Sequence, residues 1–279
     1  MTSHDVVARV RRATGEESVG HLGTLDPMAT GVLPLLLGKY TRLAQFLNAS
    51  EKAYIGTIRF GFATDTYDAE GQPLGEPRPV DLTLEALRAE AARHLGETQQ
   101  MPPPFSAKKV AGKPAYKLAR AGKTPELKPV KITVEEFAIE SADGDTASFA
   151  MRISAGGYVR AIAHAMGQAM GCGAHLASLR RVAAGPFTLE QAMTLEEMND
   201  LARAGSLEDR MMHARTLLPD LPAVTGDEAT LGRLRNGMQV NLPEYSDAAL
   251  VKIFAGQREL VAIGKRVAGT LFQPFVVLI

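Results

Sequence analysis

Asp26 stands in the run Gly20-His21-Leu22-Gly23-Thr24-Leu25-Asp26-Pro27-Met28-Ala29-Thr30-Gly31, and its neighbours make it a candidate reactive group. A free aspartate has a pKa of about 3.9 and is ionised near neutrality. The three glycines permit turns that a side chain would forbid. Pro27 biases the residue before it away from helix. A carboxylate on a tight, small-residue loop fits a group presented to a ligand. The same features suit an aspartate that merely caps a turn, so the loop alone leaves both readings open.

Other chemical signatures fail when tested. Gly38-Lys39-Tyr40 ends like a phosphate-binding loop, but position 33 is leucine and a tyrosine replaces Ser or Thr. Gly171-Cys172-Gly173 lacks the third glycine of a dinucleotide turn. The six histidines show no metal-ligand spacing, and no metal is expected. The single cysteine, Cys172, excludes an internal disulfide and reads as structural.

Net charge is zero, with 31 basic and 31 acidic residues. Its distribution is uneven. Residues 101–131 hold eight basic residues, Lys108, Lys109 and Lys113 among them, against Glu126 alone, a net +7. Such a patch can attract a phosphate backbone even on a neutral protein. A solvated lysine-rich surface is the competing explanation. No apolar run approaches the roughly 18 residues of a membrane span, and the first residues lack the layout of a signal peptide. A cytoplasmic location and no membrane partner are expected.

Periodicity sets the elements that must carry these residues. Val6, Val7, Val10 and Ala13 have helical spacing, with Ser3 as the cap and Gly15 as the stop. Residues 52–60 alternate as a half-buried strand in which Tyr54, Ile58 and Phe60 share a face. Leu84, Leu87, Ala91 and Leu95 form one helical stripe before Gly96. Three prolines introduce a long basic loop, about 102–131, with a short helix near Tyr116 to Ala121. Residues 130–138 and 147–154 read as strands, and Gly156-Gly157 leads into a helix. Thr194 to Glu197 has the form of a capping box. Leu218-Pro219-Asp220-Leu221-Pro222 marks a linker before three or four short strands. The expected organisation is a catalytic domain over 1–218 and a small β module over 219–279. The fold class is α+β, with a mixed, largely antiparallel central sheet flanked by helices and loops.

The loop around Asp26, extended through Val32-Leu33-Pro34, resembles the catalytic-loop motif of the TruB-type tRNA pseudouridine synthases. Further blocks resemble the same family in the same order: Lys52-Ala53-Tyr54, Thr64 through Gly71, Pro103 through Lys109, Gly157-Tyr158-Val159-Arg160, and Gly171 through Arg181. The resemblance spans residues 2 to about 200. It also implies a strand and a Lys-Pro-x-Gly stretch ahead of Met1-Thr2-Ser3, whose absence would leave a neighbouring strand with unpaired backbone groups.

The resemblance implies an isomerase that converts the uridine at position 55 of the tRNA T loop to pseudouridine. The bond between ribose and N1 of uracil is cut, the base rotates, and it rejoins through C5. No cofactor is implied. Asp26 is then the nucleophile, Arg160 the cation that keeps it ionised, and Tyr54 the aromatic that stacks on the base or moves a proton. Tyr158 and Leu179 line the uridine pocket, His21 fills the space beside the flipped nucleotide, and Lys108 and Lys109 belong to the RNA-binding loop. The C-terminal module resembles a PUA-type RNA-binding fold. The T arm of tRNA is the implied partner, no protein partner is implied, and the protein is expected to be a monomer. Without the resemblance, Tyr54, Tyr158 and Leu179 read as core, Arg160 as a surface arginine and His21 as a turn or core histidine. A non-catalytic RNA-binding or tRNA-folding protein is the main alternative. An aspartate-dependent glycosidase would need a paired carboxylate, and the sequence offers no convincing partner for Asp26.

Overall fold

The structure is a computed structural model that describes residues 1–106, 108–110 and 112–279, apart from the side chains of Lys109 and Arg120. The chain folds as two compact units. The first comprises Met1–Thr24, Pro34–Asn48 and Met193–Ile279, and the second comprises Leu25–Leu33 and Ala49–Ala192. The α+β class expected from the sequence holds.

The second unit is built on a seven-stranded sheet. Its order runs Phe187–Thr188, Ala174–Ala184, Lys52–Phe60, Thr146–Ile153, Val130–Asp143 and Gly96–Gln100. These neighbours pair antiparallel. The seventh strand, Thr30–Gly31, pairs parallel with Arg180 and Arg181. Alternation in Thr146–Ile153 is strict, so Ala147, Phe149, Met151 and Ile153 all enter the core. Helices Leu84–Ala92 and Val159–Ala169 cover that face through Leu87, Ala91, Val159, Ile162, Ala163 and Met166. A large apolar side chain contributes about 1.5–3 kcal/mol when fully buried, which is why the two helices stay docked.

Two expectations for this unit need correction. The helix at Leu84 stops at Ala92, and Leu95 is 46% exposed instead of completing the apolar stripe. Gly96 does not simply end a helix: with φ of 87° it opens the edge strand Gly96–Gln100. In the basic loop, a short antiparallel pair, Lys109–Val110 with Lys113–Pro114, precedes the helix Ala115–Arg120.

In the first unit, helix Ser3–Thr14 packs on helix Leu195–Ala204 through Val7, Val10 and Met198. Its cap is Thr2, not Ser3. The Thr2 hydroxyl accepts from the Asp5 N–H while the Asp5 carboxylate accepts from the Thr2 N–H, a reciprocal box. Ser3 is buried and inside the helix. Strand Val19–His21 pairs with Leu35–Leu37. Beyond the proline-rich segment lies a five-stranded sheet, ordered Ala223–Gly226, Leu250–Ala255, Glu259–Ala268, Leu271–Val277 and Val240–Asn241. Leu234, Val251, Ile253, Val261, Ala262 and Phe272 form its core.

Candidate active site

The Asp26 loop is short because its ends are pinned. The Ala29 N–H donates to the Asp26 carbonyl at 2.9 Å, closing a turn with Pro27 at the position where a fixed φ is favourable. Gly31 then takes φ of 99°, and a Cβ there would stand 2.1 Å from the Arg181 carbonyl oxygen. Only glycine lets the loop approach the strand this closely.

Asp26 faces Arg160, the second residue of helix Val159–Ala169. Arg160 Nε donates to Asp26 Oδ2 and Nη2 donates to Asp26 Oδ1, both at 2.8 Å. This is the two-pronged geometry in which a guanidinium binds a carboxylate most strongly. The remaining donors are also engaged. Nη1 donates to the Thr66 carbonyl at 2.8 Å and lies 3.4 Å from Asp68 Oδ2, while Nη2 also donates to the Phe105 carbonyl at 3.1 Å. The Arg160 side chain is 5% exposed and Asp68 equally so, whereas Asp26 is 29% exposed. The buried cation therefore holds two carboxylates, one sealed and one open.

Asp68 is fixed from its other side. Its Oδ1 accepts from the Thr66 hydroxyl at 2.6 Å and from the Glu70 N–H at 3.1 Å. It lies inside the Thr64–Gly71 block that the sequence singled out, but no role attached to it there. A turn rich in Asp and Thr gives no hint that one carboxylate points inward. The Asp68–Arg160 pair is a tertiary fact.

Tyr54 and Arg181 sit opposite each other across the strand pair Lys52–Phe60 and Ala174–Ala184. Burial pushes the Tyr54 phenol above its ordinary value of 10.0 and the Asp26 charge adds to that, while a hydrogen bond from Arg181 works against it. The phenol therefore stays protonated through neutral pH. Leu179, two residues from Arg181, is buried in the core against which Tyr54 packs. Tyr158 precedes the helix that carries Arg160. Gln100 clamps its backbone, with Nε2 donating to the Tyr158 carbonyl at 3.0 Å and Oε1 accepting from its N–H at 2.8 Å. Burial raises the Tyr158 phenol pKa, opposed by Ser106 and Arg160. Gln100 is on the edge strand that periodicity did not reveal, so its positioning of Tyr158 was hidden as well.

Asp26, Tyr54, Tyr158, Arg160 and Leu179 thus belong to one unit. His21 lies in the other, in the strand paired with Leu35–Leu37. Lys108 is exposed at the root of the basic loop, where its carbonyl accepts from the Ala115 N–H at 2.7 Å. The Lys109 side chain lies outside the described residues. Among the described residues, no group of three or more His, Cys, Asp or Glu is placed to hold a metal ion, and no helix is long and apolar enough to cross a membrane.

This arrangement can present a partly exposed, arginine-paired carboxylate together with a protonated phenol. Known proteins place it in a family. Residues 11–159 match the N-terminal domain model of TruB family pseudouridylate synthases, and residues 160–219 match the tRNA pseudouridylate synthase B C-terminal domain. The chain is similar to tRNA pseudouridine synthase B of Solibacter usitatus, 47% identical over 99% of this chain and 96% of the relative. It is similar to the protein of the same name from Geobacter sulfurreducens, 41% identical over 92% and 85%. Among solved structures it resembles a chain of a Cbf5–Nop10–Gar1 complex, with a TM-score of 0.72 and 25% identity over 100% of this chain and 82% of that one. The chain belongs to the TruB family of pseudouridylate synthases.

Proposed function

We propose that this protein converts uridine to pseudouridine at position 55 in the T loop of tRNA, with Asp26 as the nucleophile. The observation that carries the reading is the bidentate Asp26–Arg160 pair, in which the arginine is sealed and the aspartate is left open. The fixed guanidinium holds both carboxylate oxygens through charge-assisted hydrogen bonds, so Asp26 is kept in place as the substrate closes over it. Tyr54 supplies an aromatic face for the base and a phenolic proton, and Tyr158 and Leu179 complete the wall of the uridine pocket.

The target base must leave its stack, at a cost of a few kcal/mol. Stacking on an aromatic returns about 1–3 kcal/mol per base. In this reading His21 occupies the space that the flipped nucleotide vacates, and Lys108 and Lys109 hold the RNA backbone. The Phe105 carbonyl bonded to Arg160 ties the start of the basic loop to the site, so RNA on that loop and the charge at Asp26 share an anchor. The five-stranded sheet lies wholly within residues 219–279, which supports reading that span as a PUA-like RNA-binding module. The protein acts in the cytoplasm as a monomer.

The test uses an unmodified T-arm stem-loop and the same RNA with cytidine at position 55. Pseudouridine from the first and none from the second is the expected result. Tight binding of both without product would replace the enzyme with an RNA-folding protein, and product at another uridine would move the target position.

A further inference from the structure

We propose that Arg181 is a positioning residue for the reaction: it locks the end of the Asp26 loop to the strand that carries Tyr54, so that carboxylate and phenol are held as one unit. This rests on the assignment of Asp26 and Tyr54 given above.

Among the described residues, Arg181 is the largest side chain that the fold buries completely, at 1% exposure. Burying a guanidinium is costly unless its donors are met, and a strand interior is ordinarily filled by an apolar residue. What Arg181 touches is specific. Its Nε donates to the Val32 carbonyl at 2.7 Å, and its own carbonyl accepts from the Val32 N–H at 2.9 Å. One residue thus holds both backbone groups of Val32. Gly31, beside it, comes so close to Arg181 that no side chain could intervene. The parallel pairing of Gly31 with Arg181 extends this approach into the sheet. On the neighbouring strand Arg181 stands directly opposite Tyr54, close enough that its charge opposes the rise that burial causes in the phenol pKa.

The two buried arginines therefore divide the work. Arg160 holds the Asp26 carboxylate itself. Arg181 holds the stem of the loop that carries Asp26 and stands opposite Tyr54 on the paired strand, facing its phenol with a positive charge. A planar fork reaches two partners in fixed directions, and a lysine ammonium does not reproduce that geometry. Displacement of reacting groups by about 1 Å can cost on the order of 100-fold in rate, which sets the scale for losing this brace.

The test is a pair of variants, R181K and R181Q, each alone and combined with Tyr54→Phe, assayed in single turnover on unmodified tRNA beside the wild type. Circular dichroism and melting establish which variants fold, and binding of tRNA is measured in parallel. The turnover rate of R181K should fall about 10- to 100-fold with tRNA affinity and KM within about twofold of wild type. The same substitution should cost several-fold less once Tyr54 is phenylalanine, because part of what Arg181 holds is already gone. A folded R181K with the wild-type rate overturns the proposal. So does an equal fold-loss in both Tyr54 backgrounds, or a failure of both variants to fold, since either marks a structural arginine only. If the wild type itself makes no pseudouridine, the assignment of the reaction fails instead, which separates the two readings.

Discussion

Two buried cations, Lys252 in the first unit and Arg160 in the second, are satisfied in opposite ways. In the first unit Lys252 is 2% exposed within strand Leu250–Ala255, and its ammonium donates to the carbonyls of Arg215 and Leu217 at 2.9 and 2.8 Å. Burial lowers its pKa, with Arg215 adding to the effect. These carbonyls belong to the chain just before the proline-rich segment, so the lysine ties that chain to the sheet. In the second unit Arg160 meets two carboxylates, and one of them remains open to a ligand. A cation paired with neutral, enclosed carbonyls stitches a fold. A cation paired with a half-open carboxylate stores a charge for use. What separates structure from chemistry here is the exposure of the partner, since both cations are buried to a similar degree.

Breaking the second arrangement should affect rate far more than stability. Asp26→Asn keeps the shape and removes the charge, so pseudouridine formation should vanish while tRNA binding and melting temperature stay near wild type. Turnover by this variant would remove Asp26 from the nucleophile's role. Asp68→Asn leaves Arg160 with a single carboxylate. Losing one charge from this buried cluster lets Arg160 shift, so the rate should drop about 10- to 100-fold, read in the same single-turnover assay. An unchanged rate would show that Asp26 alone sets the arginine's position.

Breaking the first arrangement should do the reverse. Lys252→Met leaves two buried carbonyls unmet, at a cost of about 1–3 kcal/mol. Urea unfolding should show this loss, while turnover per folded molecule stays at the wild-type value. A lost rate with intact stability would give Lys252 a functional part. Next in size is the basic loop. Neutralising Lys108, Lys109 and Lys113 should flatten the dependence of log affinity on log salt by about 0.7–0.9 for each phosphate that no longer meets a lysine. An unchanged slope would place the RNA elsewhere.

The smallest effect concerns pH. His94, His164 and His175 all belong to the second unit, and burial holds each below its ordinary 6.5. Just beneath that value the unfolded chain binds more protons than the folded one. Stability is therefore fully present above about pH 6.5 and declines as pH falls below it. The urea midpoint should be lower at pH 5.5 than at pH 7.5, and a His164→Gln variant should show a shallower decline. Equal midpoints at both pH values would contradict this.

Much of the site was legible because the family blocks are local strings: Asp26, Tyr54, Tyr158, Arg160 and Leu179 each sit in a short motif, and the structure brings them into one unit. The long helices and central strands were legible from period alone. What escaped depends on pairing. Gly96-Glu97-Thr98-Gln99-Gln100 has no apolar alternation, because an edge strand with four exposed residues needs none. Gln100 and its grip on Tyr158 went with it. Arg181 was the last residue of a matched block, and no role attached to it there. Strand alternation sets Arg180 and Arg181 on opposite faces, and the inward one, Arg181, is the one that Gly31 approaches while Arg180 stays exposed. Residues 34–48 join the first unit and 25–33 the second, a crossing that composition does not mark.

The central claim is that the Asp26 carboxylate meets a uridine drawn out of its stack. A structure of the protein bound to an unmodified T arm tests it most directly. The account predicts the nucleotide at position 55 unstacked against Tyr54, with a reacting carbon about 3–3.5 Å from an Asp26 oxygen and Arg160 still bidentate. A bound T arm with that base stacked in its loop, or with Asp26 facing only backbone phosphate, would contradict it.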